Sequence, residues 1–232
     1  MAKLILVHGA WHGAWCWDRV TPLLAAAGHE VLAPDLPITA RSMAEWVALV
    51  LEAVGDGPAV LVGHSRGGTI ISAVAEAVPD KISRLIFCSG FLLKRGQSVL
   101  AAAQDDILLP IVMDQDSRSC TLVEASRFYT GCSAEDVADA VARLRPEPLF
   151  GLTAPLRVST ARFGTVPRDY IECTQDQVIS LAAQRRMQAA WPAQRVITLE
   201  TGHSPFLSDP RTLADALAGL CAAAVTPPCH PP

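Results

Sequence analysis

A serine between two glycines is the feature of this sequence with the clearest chemical potential. The motif Gly63-His64-Ser65-Arg66-Gly67 follows the apolar run 59–62 and precedes the helical pattern 69–78. Alone, such a motif is a frequent chance match. Between a strand and a helix it is typical of a nucleophile elbow, in which glycines leave room for a sharp turn. We therefore predict Ser65 as a nucleophile and the Arg66 amide, at a helix start, as a donor to an oxyanion.

A serine hydroxyl is a weak nucleophile and needs a base, which a third group must orient. Two histidines follow Ser65 in the sequence. His230 lies in a Pro-rich tail, whereas His203 lies in a Gly-containing loop just after the last predicted strand. We therefore predict His203 as the base; the alternative for His203 is a surface loop histidine.

The acid is expected after the penultimate strand, which ends at Cys173. Asp176 opens the following loop and is the predicted acid. Glu172 is a rival, but it lies within the strand, where its side chain is expected to point to one face of the sheet. Another position, at the end of the strand after the elbow helix, reads Cys88-Ser89-Gly90 and offers no carboxylate.

The first predicted strand runs into a Gly- and Trp-rich loop, residues 8–15, that can bring a second amide to the oxyanion. We assign this donor to Ala10. Gly9, Trp11 and His64 are predicted to contact substrate, although Trp11 could equally pack the loop. Three other polar residues of the region are expected to pack or form turns rather than to catalyse: His8, His12 and Asp35.

Short apolar runs alternate with helical patterns along the chain. The predicted strands are 4–7, 30–33, 59–63, 84–88, 168–173 and 195–199. The predicted helices are 17–27, 43–54, 67–78, 181–190 and 212–223. This alternation predicts an α/β fold with a mostly parallel sheet of about six strands and helices on both faces.

The alternation stops between about residues 91 and 166. No strand pattern is visible there, and four prolines separate acidic, Ala-rich helical pieces such as 133–144. Ser133, with Asp136 three residues later, indicates a helix start. We therefore predict a single domain over residues 1–232 with a small helical cap inserted at about 91–166.

Composition narrows the class of protein. Nineteen basic and 23 acidic residues give a net charge of −4, without the basic stripe that nucleic-acid binding requires. No apolar run approaches the roughly 20 residues that span a membrane.

The seven cysteines form no C-x-x-C pair and the histidines no metal-binding pattern, so reduced thiols and no metal or other cofactor are expected. The short apolar run at the N-terminus does not resemble a signal peptide, which predicts a cytoplasmic protein. A homodimer is left open.

The sequence resembles the methylesterase and hydroxynitrile lyase group of α/β-hydrolases over nearly its whole length. The resemblance rests on Val7-His8-Gly9-Ala10-Trp11-His12-Gly13-Ala14-Trp15-Cys16-Trp17, Gly63-His64-Ser65-Arg66-Gly67-Gly68, Tyr170-Ile171-Glu172-Cys173-Thr174-Gln175-Asp176 and Gly202-His203. Within the group, the chain is most similar to bacterial carboxylesterases, some of which hydrolyse pyrethroid-type esters. The resemblance implies Ser65, Asp176 and His203 as the catalytic triad, and a cap over the site.

Departures from the group bear on the reaction. The lyases carry Thr after the first histidine of the loop and Lys after the triad histidine, where this chain has Gly9 and Ser204. Arg66 is bulkier and more polar than the hydrophobic residue common in plant methylesterases, which disfavours a plant-type substrate. We expect a serine carboxylesterase acting on small to medium apolar esters through an acyl-enzyme. Thioesterase, lactonase, carbon–carbon hydrolase, lyase, cofactor-independent oxygenase and ligand-receptor alternatives share the scaffold.

Overall fold

The computed structural model describes residues 1–103, 107–114, 116 and 118–222. The Pro-rich tail, with His230, and the last position of the predicted final helix lie outside the described residues. In the described part of the chain, no helix is both long and apolar enough to cross a membrane.

A six-stranded, wholly parallel sheet forms the centre of the molecule. Its strands are β1 (Lys3–Val7), β2 (Glu30–Leu32), β3 (Ala59–His64), β4 (Ile82–Cys88), β8 (Arg168–Cys173) and β9 (Arg195–Leu199), in the spatial order β2-β1-β3-β4-β8-β9. Every residue of β3 and β8 is buried, whereas the edge strands β2 and β9 are partly exposed. The predicted α/β fold with six parallel strands is confirmed.

Helices cover both faces of the sheet. They are α1 (Thr21–Ala26), α2 (Met43–Val54), α3 (Gly67–Ala77), α7 (Leu181–Ala190), α8 (Pro205–Ser208) and α9 (Pro210–Ala222). One face packs against α2, α3 and α7, and the other against α1 and α9, so that two hydrophobic cores flank the sheet. The predicted helix 17–27 is shorter in the structure, because a 3-10 turn ends at Trp17 and α1 begins only beside Pro22.

The segment between β4 and β8 packs in part over the carboxyl ends of the strands, where it contacts the loop that follows β1. It contains α4 (Val99–Ala102), β5 (Ile111–Asp114), β6 (Ser119–Leu122), α5 (Ala134–Ala142), β7 (Glu147–Pro148) and α6 (Phe150–Thr153). As predicted, Ser133 starts a helix: its hydroxyl accepts a hydrogen bond from the Asp136 amide (3.1 Å).

The sequence of this segment shows no strand pattern, but in the structure it contains three short strands besides its helices. Strands β5, β6 and β7 form a small antiparallel sheet, in which Val112 pairs with Thr121 and Cys120 with Glu147. β5 is mostly exposed, so it shows no buried apolar run, and β7 has only two residues, one of them proline. Periodicity cannot identify strands this short.

Candidate active site

The elbow places Ser65 between the end of β3 and the start of α3. Ser65 has φ 51°, in the left-handed region that non-glycine residues adopt rarely and mostly at functional sites. A Cβ atom on Gly63 would lie 2.8 Å from the Gly67 backbone, and one on Gly67 would lie 2.5 Å from the Val7 carbonyl oxygen. Both glycines are therefore required by close backbone approaches, as the sequence predicts.

His203 and Asp176 form a fully buried pair near the elbow. His203 Nδ1 donates to Asp176 Oδ2 (2.7 Å), which leaves Nε2 as the basic nitrogen. Among the residues that the structure describes, Nε2 has no hydrogen-bond partner. It therefore does not bond the Ser65 hydroxyl here; such bonds are often long when no substrate is bound.

Backbone contacts bring the serine to this pair. The Ser65 amide donates to the Cys88 carbonyl (3.3 Å), at the end of the neighbouring strand β4. The ring of His64, the residue before Ser65, donates from Nε2 to the His203 carbonyl (2.7 Å). Ser65, His203 and Asp176, predicted from separate parts of the sequence, thus meet at the carboxyl edge of the sheet.

Further donors orient the Asp176 carboxylate. Oδ1 accepts from the amides of Val178 (2.7 Å) and Ile179 (2.9 Å), and Oδ2 accepts from the Ser89 hydroxyl as well as from His203. Sequence reasoning missed Ser89, although it noted Cys88-Ser89-Gly90 as a position without a carboxylate. The structure shows that this position supplies a hydroxyl to the carboxylate of the next strand instead.

The rival carboxylate, Glu172, faces helix α7. It makes an ion pair with Arg185 (3.2 Å) and accepts a hydrogen bond from Gln188 (2.9 Å). These contacts engage both of its oxygens away from His203. The geometry therefore favours Asp176 as the acid.

Residues 8–12 cross directly over the elbow and are here called the oxyanion loop, after the predicted oxyanion donor Ala10. A Cβ atom on Gly9 would lie 3.0 Å from Ser65 Cβ and 2.9 Å from His64 Nδ1, so only glycine allows this approach. In the described part of the chain, the amides of Ala10 and Arg66 donate to no acceptor. Both are therefore available to an oxygen that carries negative charge.

Two buried histidines hold the loop, as expected for packing rather than catalysis. His8 Nδ1 donates to the Gly9 carbonyl (2.8 Å), and Nε2 accepts from the Leu36 amide (3.1 Å). His12 Nδ1 donates to the Ala10 carbonyl (2.8 Å). Burial is the main cause that lowers the pKa of His8 to about 3 and the pKa of His12 to about 4, so both rings are neutral near pH 7.

His64 and Trp11 are both buried. The His64 ring lies 4.7 Å from the His203 ring, and burial lowers its pKa well below 6.5. Trp11 has φ 62° and donates from its indole to the Cys120 carbonyl (3.1 Å), above the sheet. Of the three predicted substrate-binding residues, Gly9 lies directly against the Ser65 side chain. Substrate contact by His64 and Trp11 stays a prediction.

The Arg66 side chain turns away from Ser65 into a buried ion pair that sequence reasoning missed. Its Nε lies 2.9 Å from Glu147 Oε1, its Nη2 donates to the Gly9 carbonyl (3.1 Å), and its guanidinium lies 4.4 Å from the Trp46 ring centroid. Burial raises the pKa of Glu147 and lowers that of Arg66, and their mutual attraction opposes both shifts. No sequence pattern signals the pair, because its members lie 81 positions apart.

Within the described ranges, no three His, Cys, Asp or Glu side chains converge as metal ligands. The six cysteines described there are free thiols, and Cys229 lies outside those ranges.

Comparison with known proteins identifies relatives along nearly the whole chain. Residues 4–216 match the alpha/beta hydrolase family. Methylesterase 2 of Arabidopsis thaliana is 33% identical, over 93% of this chain and 94% of the relative. Pyrethroid hydrolase of Sphingobium wenxiniae is 30% identical, over 94% of this chain and 87% of the relative.

Solved structures show the same similarity in three dimensions. The crystal structure of a pyrethroid hydrolase from Sphingobium faniae JZ-2 superposes with a TM-score of 0.86 at 27% identity, covering 96% of this chain and 98% of that one. Polyneuridine aldehyde esterase superposes with a TM-score of 0.83 at 26% identity, covering 95% and 99%. The predicted resemblance is confirmed, and the chain belongs to the alpha/beta hydrolase family.

Proposed function

We propose that this protein is a serine carboxylesterase that hydrolyses small to medium apolar esters through an acyl-enzyme. The observation that carries the proposal is the buried His203–Asp176 pair. Within the described residues, His203 Nε2 has no hydrogen-bond partner, and it belongs to the same site as Ser65, whose φ lies in the left-handed region. Membership of a hydrolase family and similarity to esterases support ester hydrolysis.

In the acylation half-reaction, Ser65 Oγ attacks the ester carbonyl carbon while His203 Nε2 takes the hydroxyl proton. The carbonyl oxygen becomes an oxyanion, which the Ala10 and Arg66 amides stabilise. Collapse of this intermediate breaks the bond to the alcohol oxygen. That oxygen takes the proton from His203, so an alcohol leaves and the acyl group stays on Ser65.

Deacylation repeats the sequence with water. Water gives a proton to His203 as its oxygen attacks the acyl carbon, and Ser65 leaves with that proton when the second oxyanion collapses. One water molecule is consumed and a carboxylic acid is released. The Asp176 carboxylate keeps its hydrogen bond to His203 Nδ1 and stabilises the imidazolium that forms twice per turnover.

Two positions favour ester hydrolysis over cyanohydrin cleavage. Gly9 lies so close to Ser65 and His64 that it leaves no room for the Thr side chain that the related lyases carry, and Ser204 stands where they carry Lys. Ser204 is buried and brings no cation to the site. The proposed partner is accordingly a small ester, with no cofactor needed for the chemistry. A cytoplasmic location and a homodimer stay predictions from the sequence.

The test combines labelling with turnover. Wild-type protein, Ser65→Ala and the control Ser83→Ala, whose hydroxyl bonds to the Ala59 carbonyl on the sheet, are treated with a fluorophosphonate probe and analysed by intact mass. Hydrolysis of p-nitrophenyl esters of increasing chain length is followed in parallel. We expect one adduct and ester turnover in the wild type and the control, and neither in Ser65→Ala.

An unlabelled Ser65 with turnover that persists in Ser65→Ala would overturn the proposal. Release of cyanide from mandelonitrile without ester turnover would favour the lyase reaction instead. If the wild type turns over esters, the rate across the chain-length series measures the size of the acyl pocket.

A further inference from the structure

The Gly9–Ala10 peptide unit is held from its carbonyl side. The Gly9 carbonyl accepts from His8 Nδ1 (2.8 Å) and from Arg66 Nη2 (3.1 Å). A peptide unit is planar, and in the trans form its N–H points opposite to its C=O. The two donors on the Gly9 oxygen therefore set the direction of the Ala10 N–H, the proposed oxyanion donor.

The next peptide unit is held on both sides. Its carbonyl, that of Ala10, accepts from His12 Nδ1 (2.8 Å), and its N–H, that of Trp11, donates to Glu147 Oε2 (3.2 Å). Glu147 also contacts Arg66 through Nε (2.9 Å) and Nη2 (3.5 Å). One buried carboxylate thus joins the oxyanion loop to the guanidinium that anchors it.

We propose that Glu147 is a positioning residue for the oxyanion hole: by pairing with Arg66 and accepting from the Trp11 amide, it orients the Ala10 N–H towards the oxyanion. Charge strengthens this arrangement, because hydrogen bonds to ionised groups are stronger than neutral ones. The cation on the Gly9 carbonyl also polarises that peptide, which makes its N–H a better donor.

The proposal gives the segment above the sheet a part in the reaction. Glu147 lies on β7, and three other residues of this segment also bond to the loop. The Cys120 carbonyl accepts from the Trp11 indole (3.1 Å), the Arg145 amide donates to the Trp11 carbonyl (2.8 Å), and the Tyr129 hydroxyl contacts His12 Nε2 (3.0 Å). Correct folding of β6 and β7 is therefore coupled to the geometry of the oxyanion hole.

The experiment uses Glu147→Gln and Arg66→Met, with active-site concentration set by fluorophosphonate titration. It rests on the proposed esterase activity, which the wild type must show first; without it the proposed function fails, not this inference. We expect kcat for a p-nitrophenyl ester to fall about 10- to 100-fold in each variant, with KM changed less than about three-fold, because the lost interaction acts on the transition state.

A tetrahedral adduct separates positioning from general loss of structure. An alkyl trifluoromethyl ketone adds to a catalytic serine and places an oxyanion in the hole. We expect its inhibition constant to rise in each variant by the same factor as kcat/KM falls. An unchanged kcat and inhibition constant in titrated Glu147→Gln would overturn the proposal, as would a rise in KM alone.

Asp169→Asn is the matched control. It breaks a buried ion pair with Arg84 (2.9 Å) at the opposite end of the strands, far from the oxyanion loop. We expect reduced stability with unchanged kcat and unchanged ketone inhibition. Equal loss of ketone affinity in this control would count against a specific role for Glu147.

The double variant Arg66→Met/Glu147→Gln keeps the proposal testable if a single variant does not fold. Replacing both members of a buried pair leaves no uncompensated charge and usually costs little stability. We expect its kcat to fall about as far as in either single variant, because the two residues act as one unit. Wild-type kcat and ketone affinity in the folded double variant would overturn the proposal.

Discussion

At the scale of single residues, Asp176 accepts more hydrogen bonds than pairing with the His203 imidazole alone would require. Four donors converge on its two oxygens: His203, Ser89 and the amides of Val178 and Ile179. The carboxylate cannot rotate without losing several of these bonds. Its orientation in turn fixes the tautomer of His203, which leaves Nε2 able to accept a proton.

Asp176→Asn should therefore retain the fold and lose activity. The amide presents an N–H where a carboxylate oxygen accepted, which favours the wrong tautomer of His203, and we expect kcat to fall by about 10³- to 10⁴-fold. Glu172→Gln is the control and should keep kcat, since that side chain contacts Arg185. Steady-state kinetics on titrated protein measures both; normal turnover in Asp176→Asn, with loss in Glu172→Gln, would reassign the acid.

Residue type and order along the chain are enough to select Ser65, Asp176 and His203 as candidates, because each lies in the connection that follows a strand recognisable from the local sequence. The residues that assist them carried no local signal. Ser89 contacts a carboxylate 87 positions away, and Glu147 contacts an arginine 81 positions away. Such a hydroxyl or carboxylate acquires its distant partner only through the tertiary fold.

At the scale of elements, the elbow depends on how closely three backbones approach. The carbonyl of Val7, at the end of β1, faces the first residue of α3 with no space for a side chain. The tight strand-to-helix connection therefore works only because β1, β3 and α3 fit together at Gly67.

Gly67→Ala should destabilise the protein, because the added Cβ would lie 2.5 Å from the Val7 carbonyl oxygen. We expect a loss of more than about 2 kcal/mol in the free energy of unfolding. Gly219→Ala, in α9 with no atom within 4 Å of the new Cβ, is the control and should gain about 0.5–1 kcal/mol. Urea unfolding compares them, and equal effects would contradict this account of the elbow.

The strands of the main sheet could be predicted because burial on both faces makes them continuous apolar runs, as in β3 and β8. The strands above the sheet could not. β6 has one buried residue, Cys120, and β7 forms only by pairing with it. Their existence depends on packing over the oxyanion loop rather than on local propensity.

At the scale of the whole molecule, buried neutral histidines should make the stability of the fold fall in mild acid. Burial lowers the pKa of His8 to about 3, that of His12 to about 4 and that of His64 well below 6.5. In the unfolded chain these rings have pKa values near 6.5. Below that pH the unfolded state binds protons that the folded state excludes, so stability is lost as pH falls.

Between pH 6 and 5, the unfolding free energy should therefore decrease by roughly 4 kcal/mol per pH unit, as expected for about three protons taken up on unfolding. Urea unfolding at constant ionic strength measures this slope, and a constant m value confirms that the same global transition is followed. A free energy independent of pH in this window would show that the three rings are accessible to protons in the folded state.

The buried pair of Arg66 and Glu147 also constrains how such a sequence can change by descent. Exchanging either residue alone passes through a protein with an unpaired buried charge, which typically costs about 3–5 kcal/mol, a large part of a domain's stability. We therefore expect these two positions, 81 residues apart in the sequence, to change together. Any lineage that gains or loses the arginine after Ser65 must change the glutamate that pairs with it almost simultaneously.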